Sequence, residues 1–141
     1  MGAVSMKSIK VYGTLEQENS SFYSIMGRYF ASRNIGKELE GQLYNEKNST
    51  WYLLYDDYDL IGFCTIFDRN DSLYLDNLYI LPNYRNCGNA EFLMKFVLET
   101  SEKGIFCIAS NDYALRIYKK LGFHVYGNRG KWLKLKNFKE D

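Results

Sequence analysis

Residues Leu75–Phe96 read LDNLYILPNYRNCGNAEFLMKF. An apolar strand stops at Pro82 and Arg85, passes through Asn-Cys-Gly-Asn-Ala and becomes a helix at once. A loop this short, built from small and turn-tolerant residues, lets backbone N–H groups at the helix start point at an anion. A plain β-to-α turn would explain the stretch without a ligand. Arg85 just before the loop, Gly88 with no side chain to block an approach, and small Ala90 shift the reading toward a phosphate cradle. The loop has neither the three glycines of a dinucleotide fingerprint nor the Gly-Lys-Ser/Thr of a Walker loop.

Downstream, the signals agree with one another. Ala90, Leu93, Met94 and Val97 mark one apolar helical stripe, in a helix running from Asn89 to about residue 102 and ended by Gly104. Ala114, Ile117, Tyr118 and Leu121 mark another, over Asp112–Leu121. Asn111 suits that helix's N-cap, Asp112 its positive end, Lys119 and Lys120 its negative end, and Gly122 a left-handed closing residue. Strands are expected at Leu73–Leu81, Ile105–Ala109, around His124–Tyr126 and over Trp132–Leu135.

Upstream, Ser8–Tyr12 reads as a first strand. Phe22, Ile25, Met26, Tyr29 and Phe30 follow a helical repeat that Ser20 or Ser21 could cap, and a weaker repeat runs through Ile35, Leu39 and Leu43. WYLLYDDYDLIGFCTIF, from Trp51, is a hairpin whose tip carries Asp56, Asp57 and Asp59, carboxylates that solvate a turn or attract a cationic substrate. These elements make one mixed α/β domain over residues 1–141, with a single central sheet. Within it, residues 1–6 are expected to be disordered chain or an expression remnant.

The 141-residue chain is 46% apolar and 17% aromatic, which excludes a disordered chain. Eighteen basic and seventeen acidic residues leave a net charge of +1, so neither nucleic acid nor membrane is expected as main partner. No apolar run reaches the roughly 20 residues a membrane helix needs. Cysteines 64, 87 and 107 form no Cys-x-x-Cys pair and His124 is the sole histidine, so no metal site is expected. An odd cysteine count without a signal-like segment points to a reducing, cytoplasmic setting.

Leu78-Tyr79-Ile80-Leu81-Pro82-Asn83-Tyr84-Arg85-Asn86-Cys87-Gly88-Asn89-Ala90 resembles the acyl-coenzyme-A-binding motif of the GNAT superfamily of N-acetyltransferases. That motif is a strand followed by Arg or Gln, then x-x-Gly-x-Gly or Ala. Asn111–Phe123, NDYALRIYKKLGF, resembles the family's Asn-x-x-Ala-x-x-x-Tyr-x-x-x-Gly-Phe segment. The match is specific over Leu75–Phe123. Asn86, Cys87 and Asn89 depart from the usual loop residues, but asparagine tolerates left-handed backbone angles, so the cradle can still form.

The resemblance implies a mostly antiparallel, twisted mixed sheet of roughly six to seven strands, with a splayed parallel pair and about four flanking helices. It implies acetyl-coenzyme A as cosubstrate, with its pyrophosphate on the N–H groups of Asn86–Ala90 beside Arg85. The pantetheine arm would pair like an extra strand along Leu78, Tyr79 and Ile80 and touch Asn111. It also implies a tyrosine, here Tyr118, facing the thioester sulfur.

Attack by an amine on a thioester needs a neutral nitrogen, a stabilised oxyanion and a proton for the leaving thiolate. A lysine-like amine with pKa near 10.4 costs roughly 4–5 kcal/mol to deprotonate at pH 7, against about 1 kcal/mol for an α-amino group. Asp76 is the candidate base: alternation puts it on a face with Tyr74, Leu78 and Ile80, where apolar neighbours raise a carboxylate pKa. A purely structural hydrogen-bonding role explains it equally well. Tyr118 is the candidate acid, or else a core tyrosine. The N–H of Leu78 is the candidate oxyanion donor.

Tyr74–Tyr79, YLDNLY, is similar to a Tyr-Leu-Glu-Asp segment of spermidine/spermine acetyltransferases, which turns the expected acceptor toward small primary amines such as polyamines, with amino-acid-like amines also in view. A protein or peptide amine, or a non-catalytic acyl-coenzyme-A-binding module, are the alternatives. Acyl transfer through Cys87 would need a base that His124 is not placed to supply. The lysines around Trp132 read as a weak basic patch or as protection of an edge strand, whose exposed backbone could pair two copies of the chain.

Overall fold

The computed structural model describes residues 6–19, 21–39 and 43–139. Among them the order is β1 (Lys7–Tyr12), α1 (Thr14–Asn19), α2 (Phe22–Phe30), α3 (Arg33–Glu38), β2 (Ser49–Asp56), β3 (Asp59–Asp68) and β4 (Leu73–Ile80). After a 3-10 turn at Pro82–Tyr84 come α4 (Asn89–Thr100), β5 (Ile105–Ala109), α5 (Asp112–Lys120), β6 (His124–Arg129) and β7 (Trp132–Lys136). The seven strands form one sheet in the order β1-β2-β3-β4-β5-β7-β6. Every pairing is antiparallel except β4 with β5.

The expected fold holds, with five helices among the described residues where about four were expected. The additional one is α1, too short to carry a stripe, and it is held by the Gln17 amide donating to the carbonyls of Tyr12 and Ser49. Ser21 flanks α2 without a side-chain cap bond, and Ser20 lies outside the described residues. Leu43 is buried beyond α3 and not part of it. Met6, by contrast with the expectation for the leading residues, exchanges hydrogen bonds with Asp57 at the β2–β3 turn.

Two apolar layers sandwich the sheet. On one face Leu93, Met94 and Val97 of α4 and Ile117 and Tyr118 of α5 pack on Cys64, Ile66, Leu75 and Leu135. On the other, Phe22, Met26 and Tyr29 of α2 and Ile35 of α3 pack on Trp51, Leu53, Phe63 and Tyr79. Central strands β2 and β3 are covered on both faces and so read as near-continuous apolar runs.

The final strand is not an edge. β7 lies between β5 and β6, and β6 is the outer strand. Its lysines therefore do not guard an edge, and Lys134 and Lys136 stand on a sheet face opposite Ile108 and Phe106.

Candidate active site

Parallel pairing of β4 with β5 covers only Leu73 with Ile105 and Tyr74 with Phe106. β4 continues to Ile80 while β5 turns to pair with β7 as far as Ala109. The two strands separate beyond Tyr74, leaving the β4 backbone from Leu75 onward without a neighbouring strand on that side among the described residues.

The other side of β4 is also irregular. Thr65 pairs with Asp76 and Phe63 with Tyr79, so Asn77 and Leu78 together face Cys64. This is a β-bulge, with Asn77 in the left-handed region at φ 55° and its amide donating to the Thr65 hydroxyl at 3.1 Å. The bulge reverses the side-chain alternation. Leu75, Leu78 and Ile80 all pack toward α4 and α5, whereas Asp76 shares the opposite face with Tyr74 and, past the bulge, Tyr79. The expected common face for Asp76, Leu78 and Ile80 is corrected accordingly: an unbroken period of two does not survive an extra residue.

A cavity of about 680 Å³ opens where the strands part. Its walls draw on both faces of the sheet: Leu78, Ile80, Ala114 and Tyr118 from one, Tyr74, Asp76 and Phe106 from the other. The cavity thus draws on both faces of the sheet at the splay.

The phosphate-cradle candidates lie at one end. Asn86 and Gly88 both have positive φ, 62° and 84°, the conformation that the asparagine was expected to tolerate. The first bond of the α4 ladder runs from the N–H of Phe92 to the Gly88 carbonyl, and no side chain caps α4. The N–H groups of its first turn are thus open. A side chain at Gly88 would meet no atom within 4 Å, so the space in front of the turn is clear. The side chains of Asn89 and Cys87 bond back to the loop instead: the buried Asn89 amide donates to the Tyr84 carbonyl at 2.8 Å, and the Cys87 thiol to the same oxygen at 3.1 Å.

Arg85 is committed elsewhere. Its Nε donates to the Ile80 carbonyl at 2.7 Å, its guanidinium pairs with Glu38 and lies over the Tyr79 ring, and the Tyr79 hydroxyl donates to Glu38 at 3.0 Å. Asn111 caps α5 by accepting from the Ala114 N–H at 2.8 Å and also lines the cavity.

Tyr118 is 5% exposed. Burial above all, then Cys107, Cys64 and Asp76, holds its phenol well above the usual tyrosine range, so it stays a donor at any working pH. Asp76 is exposed at the cavity wall, yet crowding by the surrounding protein partly desolvates its carboxylate. That crowding, followed by the nearby Glu46, raises its pKa, against a lowering contribution from the Asn77 N–H, which donates to it at 2.8 Å. Cys64 and Cys107 are buried thiols pushed far up, and are inert. Cys87 is exposed, and His124 does not line the cavity.

Sequence reasoning missed the opposite wall, Tyr44 and Glu46. Neither lies in a periodic element. Their segment is pinned by Asn45, whose amide donates to Gln17 at 2.8 Å and Tyr23 at 2.7 Å and whose oxygen accepts from Ser49 at 2.7 Å and Trp51 at 2.8 Å. Arg129, also missed, reaches the cavity from β6.

The observed groups fit a thioester with a pyrophosphate-bearing arm: open N–H groups at a helix start, an unpaired strand edge leading from them, and a carboxylate and a phenol beyond. Among the described residues, no cluster of His, Cys, Asp and Glu could hold a metal ion, and no helix is long and apolar enough to cross a membrane.

A model of the acetyltransferase (GNAT) family matches residues 16–123, more than half of the chain. No curated protein matches. Solved structures do. Escherichia coli ElaA superposes with a TM-score of 0.72 at 16% identity, over 94% of this chain and 100% of that one. An acyl-CoA N-acyltransferase from Pseudomonas aeruginosa gives 0.73 at 9% identity, over 94% and 100%. A GNAT family acetyltransferase from Elizabethkingia anophelis, solved with acetyl-CoA bound, gives 0.66 at 15% identity, over 92% and 96%. At such identities the likeness is one of fold.

Proposed function

The chain belongs to the GNAT family of acetyltransferases, and on that premise we propose that it moves an acetyl group from acetyl-coenzyme A to the primary amine of a small molecule, by direct attack in a ternary complex. One observation carries the reading: Asp76 and Tyr118 enter the same cavity from opposite faces of the sheet, at the splay that leads back to the open N–H groups of α4.

The cosubstrate supplies the activated acetyl group as a thioester. The N–H groups of Asn86, Cys87, Gly88, Asn89 and Ala90 bind its pyrophosphate, favoured by the positive end of α4. Arg85 braces this loop through Ile80 and Glu38. Backbone groups of Leu78, Tyr79 and Ile80 hold the arm, and Asn111 flanks it. Asp76, with its raised pKa, accepts the amine proton directly or through water. The Leu78 N–H donates to the developing oxyanion, as part of a bulge that leaves it out of the ladder register. The Tyr118 hydroxyl donates to the departing sulfur.

The polyamine likeness of the Tyr74–Tyr79 stretch supports only the wider class of small amines. Acetyl-coenzyme-A-dependent thiol release across polyamines, amino acids, aminoglycosides and peptides tests the proposal. Turnover with at least one small primary amine is expected. Tight coenzyme A binding with no thiol release for any acceptor would mean a non-catalytic binding module, and release with peptides alone would mean a protein acetyltransferase.

A further inference from the structure

The charges around the cavity are not those of a polyamine site. Seven charged residues line it: Glu38, Glu46 and Asp76 against Arg69, Arg85, Arg129 and Lys134. Arg85 pairs with Glu38, and Arg69 lies 3.8 Å from Glu46. Setting those pairs aside leaves one carboxylate, Asp76, and two cations, Arg129 and Lys134, with which no carboxylate of the described residues forms an ion pair. A molecule cationic at both ends would bring one end to Asp76 and the other to like charge.

The two cations share the acceptor's side of the sheet, Arg129 through its register pairing with Trp132, two residues from Lys134 on the same strand. Lys134 pairs in register with Ile108, two residues from Phe106, and its ammonium lies 5.9 Å from the Tyr126 ring centroid. Cys107, Ala109 and Leu135, alternating with them, pack toward α4 and α5. Lys134 therefore faces away from the layer that carries the phosphate loop. Between Asp76 and the cations runs an aromatic floor: Tyr74 stacks on Phe106 at 5.0 Å, and Phe106 meets Tyr126 edge-on at 5.7 Å.

Resting on the acetyltransferase reading, we propose that the acceptor is an amine whose far end carries an anion, a carboxylate or phosphate, held by Arg129 and Lys134 while the amine lies at Asp76. β4 and β7 are two strand spacings apart where β4 and β5 pair and farther apart at the splay, so the span between amine and anion is about 10 Å or more. The floor between them favours an apolar or aromatic linker. Such an acceptor satisfies both poles of the cavity, and its anion is repelled from Asp76, which fixes its orientation.

A matched series tests this: straight ω-aminocarboxylates of about six to eight carbons, with the ω-amino phosphates, the diamines and the simple amines of the same lengths. Each is assayed by thiol release and by calorimetric binding to the coenzyme-A-loaded protein, so acceptor selectivity is read even if turnover is not seen. At least one anion-tailed amine is expected to exceed the diamine by about tenfold or more in kcat/KM or affinity. Whether carboxylate or phosphate does so identifies the source of the anion. In Arg129→Gln and Lys134→Gln the advantage falls toward unity, and Arg129→Lys restores part of it. A diamine bound or turned over as well as both anionic compounds overturns the proposal. So does an Arg129→Gln or Lys134→Gln protein that binds coenzyme A more weakly but keeps the acceptor preference. Absence of thiol release with every amine overturns the catalytic reading instead, since the binding arm reports separately.

Discussion

Asp76 and Leu78, two positions apart on one strand, point to opposite faces of the sheet, because Asn77 between them is an extra residue with φ 55°. The bulge aims the carboxylate at one side of the splay while the Leu78 side chain anchors the strand on the other. Asn77→Val is expected to destabilise the protein by about 1–2 kcal/mol, the cost of a left-handed β-branched residue. Turnover should fall with it. Asn77→Gly should recover the backbone component of stability but not the bond to Thr65. Chemical denaturation of the three proteins checks the order.

Asp76→Asn should lower turnover by about 10²–10⁴-fold. Because crowding raises the Asp76 pKa, the base form appears only as pH rises through a value above the ordinary carboxylate range, so wild-type activity has a rising limb there that the variant lacks. The stability sign is opposite. A carboxyl whose folded pKa is raised contributes its full stability below its unfolded pKa and loses it as pH rises through the folded one. At neutral pH, Asp76→Asn should therefore raise Tm while abolishing the limb. A variant with unchanged turnover would remove Asp76 from the chemistry.

Tyr118→Phe should slow turnover by about 10²-fold or less and leave coenzyme A affinity intact. The modest size follows from the leaving group: a thiol pKa near 8.5 lets the sulfur depart without full protonation. Equal turnover in the two proteins would make Tyr118 a core residue only.

Asn45→Ala should cost about 2–4 kcal/mol, since it strips partners from Gln17, Ser49 and the fully buried Trp51 at once. Because Asn45 carries the Tyr44–Glu46 wall, acceptor KM should rise more than coenzyme A Kd. Equal effects on both ligands would show a general loosening.

The second half of the chain was legible because its signals are local. Asn111 does cap α5, Gly122 does close it at φ 98°, and the Ala90–Val97 stripe does face the sheet. The bulge was not legible: LYLDNLYI fits an unbroken alternation, and only the pairing with β3 reveals that Cys64 faces two residues. The Tyr44–Glu46 wall was hidden for a similar reason. Its position depends on bonds from Asn45 to residues as far away as Gln17, which leave no periodic trace. Arg129 and Lys134 come together with Asp76 only through the β5-β7-β6 strand order, which nothing in the spacing of the last two strands announces.

The loop departs most from its family's glycine-rich form at Cys87 and Asn89, and there its thermodynamics change. Both side chains bond to the Tyr84 carbonyl, and the Asn89 amide also lies 3.4 Å from the Cys87 sulfur. Residues 84–89 are thereby held in shape by three short-range contacts within the free protein. The entropy of ordering them is charged to folding instead of to ligand capture. A more glycine-rich loop would keep that freedom until the ligand arrived and surrender it then. On the proposed reading of this loop as the phosphate cradle, coenzyme A association is expected to show little conformational entropy loss from residues 84–89.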